Sequence, residues 1–192
     1  KTIIEKYLSD GGKVYLILGD TTSDTPNLDG IMSDYGLKKV SGYIADTQRC
    51  YQGNYYAIFP QLSLSGDMGS GISNQMALLL NSPGMEKTDT DNDNLTVTPF
   101  MQTSDSGYAV TENDQTQGQY ILGAVSTNAI SADSSDSDSE DEDDKSDATD
   151  TDTKTARLTV LASASMISSD ITDQLTTLDN LTLFVNSVTE NF

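Results

Sequence analysis

The chain has 192 residues and a formal net charge of −20, from 30 acidic and 10 basic residues. Nucleic acid and anionic membrane surfaces are bound through lysine and arginine, so this charge excludes both as partners. The chain has no histidine, so it cannot build a Ser-His-Asp or Cys-His nucleophile pair.

The first elements form a helix, a strand and a second helix. Residues 2–10 carry apolar side chains at helical spacing and end at two glycines. Residues 14–18 are a short apolar run between turn residues, which predicts a strand buried on both faces. A polar loop and Pro26 follow, and the next helix is predicted to stop at Gly36. This order is the repeating unit of a parallel α/β sheet.

The rest of the chain predicts mostly strands before a final helix. Residues 72–80 are ambiguous between a helix and a buried strand. The last helix is expected to begin near Asp179 and to carry Leu181, Phe184, Val185 and Val188 on its apolar face. The predicted strands lie at 37–46, 55–59, 95–101, 120–125 and 157–162, and the pair 95–101 and 120–125 resembles a hairpin.

These elements predict a single α/β domain over residues 1–192. Its sheet is expected to be mixed and mostly parallel, with helices on both sides. Residues 131–153 interrupt the domain with 11 acidic residues and no large apolar side chain. Such a tract cannot offset the entropy of ordering, so we expect a disordered insertion that contacts divalent cations only loosely.

Fixed metal and phosphate sites are not indicated by the sequence. Asp89, Asp91 and Asp93 alternate as in the start of an EF-hand loop, but Asn94 and Phe100 stand where that loop needs glycine and glutamate. Only a weak calcium contact is compatible with this pattern. The glycines of residues 66–71 are not followed by a P-loop lysine.

Several segments in order resemble one family. They are YLSDGGKVYLILGD, PNLDGIMSDYGLKKVSGYIAD, LTVTPFMQTSDSGYAV, GQYILGAVS, ARLTVLASASMISSD and DNLTLFVNSVTENF. Together the chain resembles the extracytoplasmic domain of GldG-like auxiliary components of ABC transport systems, which are related to gliding-motility proteins. The acidic tract departs from this pattern, in which a short turn is expected.

The resemblance implies a flavodoxin-like or class I amidotransferase-like three-layer α/β sandwich without enzyme activity. It implies a domain on the extracytoplasmic side of the membrane, anchored by helices outside this sequence, with membrane-embedded transporter subunits as partners. It carries over no catalytic, cofactor-binding or metal-binding residue. Since the chain begins inside a predicted helix, we expect it to be part of a longer protein.

Three functions compete at this stage. The first is a non-catalytic binding or assembly domain of a membrane transport system. The second is a binding domain for a small ligand such as a carbohydrate, using the loop 20–25 and the turn 104–108. The third is a hydrolase related to amidotransferases, which the missing histidine disfavours.

The working surface is expected at the loops that follow strands, because ligands and partners of α/β sheets bind at the carboxyl ends of strands. These loops are 20–25, 46–54 and 163–168. The residues proposed for a partner or ligand surface are Asp20, Thr22, Asp24, Arg49, Tyr51, Ser165 and Met166.

Overall fold

A computed structural model describes residues 1–19, 24–130 and 154–192. The predicted acidic insertion at 131–153 lies outside the described residues. The helices are α1 (Thr2–Ser9), α2 (Pro26–Asp34), α3 (Ser169–Thr172) and α4 (Asn180–Asn191), with 3₁₀ helices at Gly66–Gly69 and Ala164–Ile167. The strands are β1 (Lys13–Ile17), β2 (Leu37–Lys39), β3 (Tyr43–Asp46), β4 (Cys50–Tyr51), β5 (Asn54–Ile58), β6 (Gln61–Leu62), β7 (Leu79–Leu80), β8 (Met85–Lys87), β9 (Leu95–Gln102), β10 (Gly107–Val110), β11 (Gln115–Gln117), β12 (Ile121–Ile130) and β13 (Lys154–Leu161).

The largest sheet has seven strands, and its main path runs β1-β13-β12-β8-β2. Strand β9 also pairs with β12, and β6 pairs with β9. Two smaller sheets have the orders β11-β10-β3 and β4-β5-β7. The protein therefore has a mixed α/β fold in which several sheets and few helices share the described residues.

The prediction of a mostly parallel sheet is wrong. Within the described part of the chain, β1 and β13 pair in parallel, and every other strand pair is antiparallel. Neighbouring parallel strands need a long crossover, usually a helix, whereas antiparallel strands can be joined by short turns. Between residues 37 and 130 the structure has many short connections and a single 3₁₀ turn, so antiparallel pairing follows.

Helices cover both faces of the β1–β13 pair. Tyr15 and Thr159 are register partners and point to the same face, where each bonds to α4. On the other face, the Ser126 hydroxyl donates to the backbone oxygen of Tyr35, which follows α2. Leu158, the register partner of Ser126, lies fully buried on this face. The helices α2 and α4 therefore lie on opposite faces of this strand pair and help to enclose the main core.

The positions of several predicted elements are confirmed. Helices lie over most of 2–10, after Pro26 and just after Asp179, and strands overlap 55–59, 95–101, 120–125 and 157–162. The predicted strand at 37–46 is divided into β2 and β3, and the ambiguous stretch 72–80 contains only the short strand β7. The hairpin-like pair is confirmed as the antiparallel neighbours β9 and β12.

The orientation of α4 differs from the predicted one. Phe184 packs edge-on against Tyr15, but Leu181 and Val185 are exposed to solvent. The buried face instead carries Leu183 together with the polar residues Asn180, Ser187 and Asn191. Polar groups on the facing strands supply hydrogen-bond partners for this face, so the helix does not turn its apolar stripe inward.

Candidate partner-binding surface

The buried carboxylate of Asp46 joins two loops, at residues 46–54 and 104–108, through hydrogen bonds. Its Oδ1 accepts hydrogen bonds from the backbone nitrogens of Gln48 at 2.9 Å and Arg49 at 2.8 Å, and from the Ser104 hydroxyl at 2.8 Å. Its Oδ2 accepts from the Ser104 backbone nitrogen at 2.7 Å. Asp46 therefore ties the start of the 46–54 loop to the turn at 104–108, which the sequence offered as a ligand loop.

These bonds keep Asp46 ionised. Burial by itself raises the pKa of this carboxyl group, but the hydrogen bonds from Arg49, Ser104 and Gln48 together outweigh it. The net effect is a pKa below the ordinary value of 3.8. At neutral pH the group is thus a charged acceptor whose oxygens are occupied, which is a structural role.

Arg49 closes the base of the β4–β5 hairpin. Its Nε donates to the carbonyl oxygen of Phe59 at 2.8 Å, and an amino nitrogen donates to that of Pro60 at 3.3 Å. The Phe59 backbone nitrogen donates in return to the Arg49 oxygen at 2.9 Å. The predicted surface role of Arg49 is therefore corrected, because its half-buried guanidinium group positions the hairpin.

The hairpin carries two exposed tyrosines beside its turn. Gln52 and Gly53 form the turn with φ angles of 50° and 80°, and positive φ at both central positions is the mark of a type I′ hairpin turn. Tyr51 pairs with Asn54, whereas Cys50 pairs with Ile58, so residues 55–57 have no register partner on β4. Tyr55 is 50% exposed and Tyr56 is 36% exposed at this irregularity.

A second, smaller apolar cluster lies under the hairpin. Ala57, Leu78 and Ile171 are its buried members. The apolar side chains packed against them are only partly buried, namely Tyr51, Phe59, Leu80, Leu175 and Leu178. The rings of Tyr51 and Phe59 meet edge to face with centroids 5.9 Å apart. The apolar side chains around this cluster are only partly buried, and we call its members Tyr51, Leu175 and Leu178, together with the exposed Tyr55 and Tyr56 of the hairpin, the hairpin surface. Tyr55 and Tyr56 are consecutive strand residues, so their side chains point to opposite sides of the hairpin.

Ser165 and Met166 support this region from inside. The Ser165 hydroxyl oxygen accepts from the Leu80 backbone nitrogen at 2.9 Å, which joins the 3₁₀ helix at Ala164–Ile167 to β7. Met166 is fully buried, so the prediction that it contributes to a solvent surface is wrong. Its backbone oxygen accepts from Asn180 at 2.9 Å. In this short helix the neighbouring Ile167 faces solvent instead.

The remaining predicted residues lie elsewhere. Asp24 is exposed in the segment before α2. Asp20 and Thr22 fall within residues 20–23, which lie outside the described residues. Because β1 and β13 pair in parallel, their carboxyl ends lie at the same end of the sheet. The loop 46–54 follows β3 in a different sheet.

A separate cleft of about 290 Å³ lies where the edge of the main sheet meets β10 and β11. Lys38, Lys39, Glu86, Asp114 and Tyr120 contribute to its lining. Tyr120 is almost fully buried, and its hydroxyl donates to the Thr116 backbone oxygen at 2.8 Å. Lys39 is also engaged, at 3.7 Å from Asp29 and 3.2 Å from the Thr25 hydroxyl. The cleft therefore offers charges of both signs but no exposed aromatic face.

The residues that the structure describes form neither a metal-binding cluster nor a membrane-spanning helix. No group of three or more acidic or cysteine side chains that could hold a metal ion occurs in residues 1–19, 24–130 and 154–192, and this range includes Asp89, Asp91 and Asp93. The predicted cation contact of the acidic tract lies outside that range. Across the described residues, none of the helices has the length and apolar character needed to cross a membrane.

Comparison with known proteins identifies a fold neighbour. No family model matches the chain, and no curated protein matches it. A solved structure described as the mmIFT52 N-terminal domain is similar, with a TM-score of 0.56 and 13% sequence identity. The match covers 96% of this chain but 66% of that one. At this identity the likeness concerns the fold alone.

Sequence reasoning missed the main determinants of this surface. Asp46 ends a strand before polar residues, a pattern that predicts a turn but does not reveal that Ser104 would supply two further hydrogen bonds. Tyr55 and Tyr56 belong to an apolar run that predicts a strand. Their exposure follows from the irregular pairing with β4, which no local pattern encodes.

Proposed function

We propose that this chain is a non-catalytic domain that binds a protein partner through the hairpin surface. The observation that supports this most is that hydrogen bonds fix the base of the β4–β5 hairpin, while the apolar cluster under the hairpin is only partly buried. Asp46 and Arg49 fix the hairpin through hydrogen bonds to buried and backbone groups. Tyrosines are enriched at protein interfaces because they offer a large contact area at a low cost in side-chain entropy.

The surroundings of the hairpin surface favour a protein over a small ion. Leu175 and Leu178 pack against the same small cluster as Tyr51, and their side chains are only partly buried. Arg49 is the single cation between residues 40 and 86, and carbonyl oxygens already occupy it. A partly apolar surface on a fixed scaffold suits the desolvated centre of an interface.

The cellular setting of this proposal rests on the sequence resemblance. The GldG-like segments support an auxiliary component of an ABC-type transport system, membrane-anchored, with this domain on the extracytoplasmic side. Membrane-embedded transporter subunits would then be the partners. A flavodoxin-like or class I amidotransferase-like layer arrangement belongs to the same proposal, and its support is limited to the β1–β13 pair with α2 and α4.

The test is site-specific photo-cross-linking in the intact membrane complex. Benzoylphenylalanine is introduced in place of Tyr55 or Tyr56, and in place of Tyr7 as a matched control. Tyr7 is an equally exposed tyrosine, at 52%, on the distant helix α1. We expect adducts with a transporter subunit from positions 55 and 56. Adducts from position 7 alone, or from none of the three, would overturn the assignment of the surface.

Small-ligand binding is the second candidate, and the cleft beside Lys38 and Glu86 favours it. A polar cleft with lysines and carboxylates can hydrogen-bond a carbohydrate or another small polar molecule. The check is a titration with a panel of mono- and disaccharides followed by amide chemical shifts. Shifts confined to β2, β8 and β10, and lost in Lys38→Ala, would favour this function over the hairpin proposal.

A further inference from the structure

Strand β1 lies at the end of the main sheet. Within the described residues its one strand neighbour is β13, with which it pairs in parallel over its whole length. The apolar residues 14–17 of β1 are all partly exposed, whereas most of β13 is buried. Strand β1 is therefore an edge strand, although its composition is that of an interior one.

The backbone of β1 bonds to β13 through every second residue. The Gly12 oxygen accepts from the Arg157 nitrogen at 3.1 Å, and the Leu18 nitrogen donates to the Leu161 oxygen at 2.8 Å. Backbone groups of successive strand residues point to opposite sides, so the even-numbered residues of 12–18 face β13. The odd-numbered residues face the other way.

Three residues of β1 therefore turn their backbone groups toward the free edge. The N–H and C=O groups of Lys13, Tyr15 and Ile17 have no hydrogen-bond partner within the described part of the chain. Such a row of donors and acceptors matches the backbone of another strand. It does not match a helix, whose backbone groups bond to each other. The backbone thus specifies the shape of the occupant, which is an extended segment.

The other sheet edges among the described residues are protected or short. At the opposite end of the main sheet, β2 carries Lys38 and Lys39, and lysine discourages the addition of a strand. Strand β3 is largely buried, β11 has three exposed polar residues, and β4, β6 and β7 have two residues each. Only β1 combines an open edge with a run of four apolar residues, at 14–17.

Helix α4 turns apolar side chains toward the same edge. Glu190 lies 3.8 Å from Arg157 on β13, whereas the Phe184 ring packs against Tyr15 on β1. The two sides of α4 therefore lie over different strands, and the side of Phe184 is the one nearer to the free edge.

The exposed apolar residues of α4 lie on the side of Phe184. At about 3.6 residues per turn, Leu181, Val185 and Val188 follow Phe184 around the helix, away from Glu190. Leu181 is 57% exposed and Val185 is 51% exposed. These side chains can therefore cover one face of a strand that lies beside β1.

We infer that the free edge of β1 binds an extended segment of a partner protein, which joins the main sheet as a further strand. Hydrogen bonds to the outward backbone groups of Lys13, Tyr15 and Ile17 supply the affinity, and alternate side chains of the segment contact α4. A second copy of the chain is a poorer occupant, because two chains with a net charge of −20 repel each other. The site lies on different elements from the hairpin surface and does not depend on it.

The test uses peptides with blocked backbone nitrogens. The parent is a fluorescein-labelled nine-residue peptide in which valine and threonine alternate. One derivative is N-methylated at its valines, and the other at its threonines. In an added strand a single alternate set of N–H groups faces β1. By fluorescence anisotropy on the full chain, we expect the parent to bind, one derivative to bind at least about tenfold more weakly, and the other to stay within about threefold of the parent.

Amide hydrogen exchange locates the bound peptide on the protein. In the free chain, the N–H groups of Tyr15 and Ile17 should exchange faster than those of Val14 and Leu16, which bond to β13. Saturating parent peptide should slow exchange at Tyr15 and Ile17 at least about tenfold. The derivative that binds weakly should leave their exchange unchanged at the same concentration.

Two substitutions of Lys13 form a matched pair. Lys13→Pro and Lys13→Ala both remove the same exposed side chain and its bond to the Phe192 oxygen. Only proline also removes the outward N–H group, and the first residue of an edge strand tolerates proline. We expect Lys13→Pro to bind the parent peptide about fivefold more weakly than Lys13→Ala does. Thermal unfolding checks that both variants are folded.

Other outcomes would overturn the inference. No binding of the parent, equal binding of the two derivatives, or slowed exchange only outside residues 13–17 would each do so. Slow exchange at Tyr15 and Ile17 in the free chain would mean that the edge is already paired. Sedimentation then separates the two sources, because a dimer assigns the edge to a second copy and a monomer assigns it to the chain itself.

Discussion

The main core and the second apolar cluster are built in opposite ways. In the main core, strand β12 has neighbours on both sides, and side chains such as Leu122, Leu158 and Val160 are completely buried. In the second cluster, three buried residues support five that remain partly exposed. The difference suggests a division of roles, in which the first region supplies stability and the second keeps apolar surface available for contact.

Removing matched leucines should reveal the contrast most strongly. Leu122→Ala leaves a cavity in the closed core and should lower the free energy of unfolding by about 3 kcal/mol. Leu175→Ala, in the open cluster, should lower it by about 1 kcal/mol because solvent and neighbouring side chains fill the space. Urea denaturation of both variants measures the two values. Equal losses would mean that the second cluster is as closed as the main core.

Removing the buried charge of Asp46 should have the next largest effect on stability. The Asp46 carboxylate accepts four hydrogen bonds. Asp46→Asn places an amide nitrogen, itself a donor, opposite some of these donors, so we expect the free energy of unfolding to fall by about 2 kcal/mol at pH 7. Asp105→Asn is the control, because Asp105 is an exposed carboxylate in the neighbouring turn. A loss in the control as large as that in Asp46→Asn would point to a general charge effect.

The same residue gives the comparison a pH dependence. The pKa of Asp46 is lower in the folded chain than its ordinary value of 3.8, so its contribution to stability is complete above that value. The contribution is lost as the pH falls through the folded-state pKa. The stability gap between wild type and Asp46→Asn should therefore be constant near neutrality and shrink below about pH 4, as followed by urea titrations. A gap that widens on acidification would contradict the lowered pKa.

The sequence predicted the elements of the main core better than their pairing. A continuous apolar run identified β1, but the expectation that this strand is buried on both faces is wrong, because β1 lies at the end of the sheet path and its apolar side chains are only half-buried. Whether two strands pair in parallel depends on the connection between them, and the prediction did not draw the consequence of the few helices between residues 37 and 130, which favour antiparallel pairing. The mostly parallel sheet was therefore an error about long-range contacts.

The orientation of α4 was unpredictable for a related reason. Helical spacing identifies an apolar face but does not say what covers it. Here Tyr15 and Thr159, distant in sequence, provide the partners that draw Ser187 and Asn191 inward. Of the residues predicted for a partner surface, Tyr51 is partly buried at the second cluster, Arg49 donates to backbone oxygens and Met166 is fully buried, positions that follow from contacts distant in sequence.

The smallest expected effect on stability belongs to the exposed tyrosines. Tyr55→Ser and Tyr56→Ser remove side chains that are 50% and 36% exposed, and residues 55–57 have no register partner on β4. Each variant should change the free energy of unfolding by at most about 0.5 kcal/mol, as surface substitutions usually do.

Binding of the partner should respond differently, because tyrosines that become desolvated in an interface commonly contribute more than 1 kcal/mol. The informative result is the combination of unchanged urea unfolding with a roughly tenfold loss of partner affinity, with Tyr7→Ser as the control that changes neither. A large loss of stability in Tyr55→Ser would show that this side chain belongs to the packed cluster, and the division between a closed core and an open contact surface would not hold there.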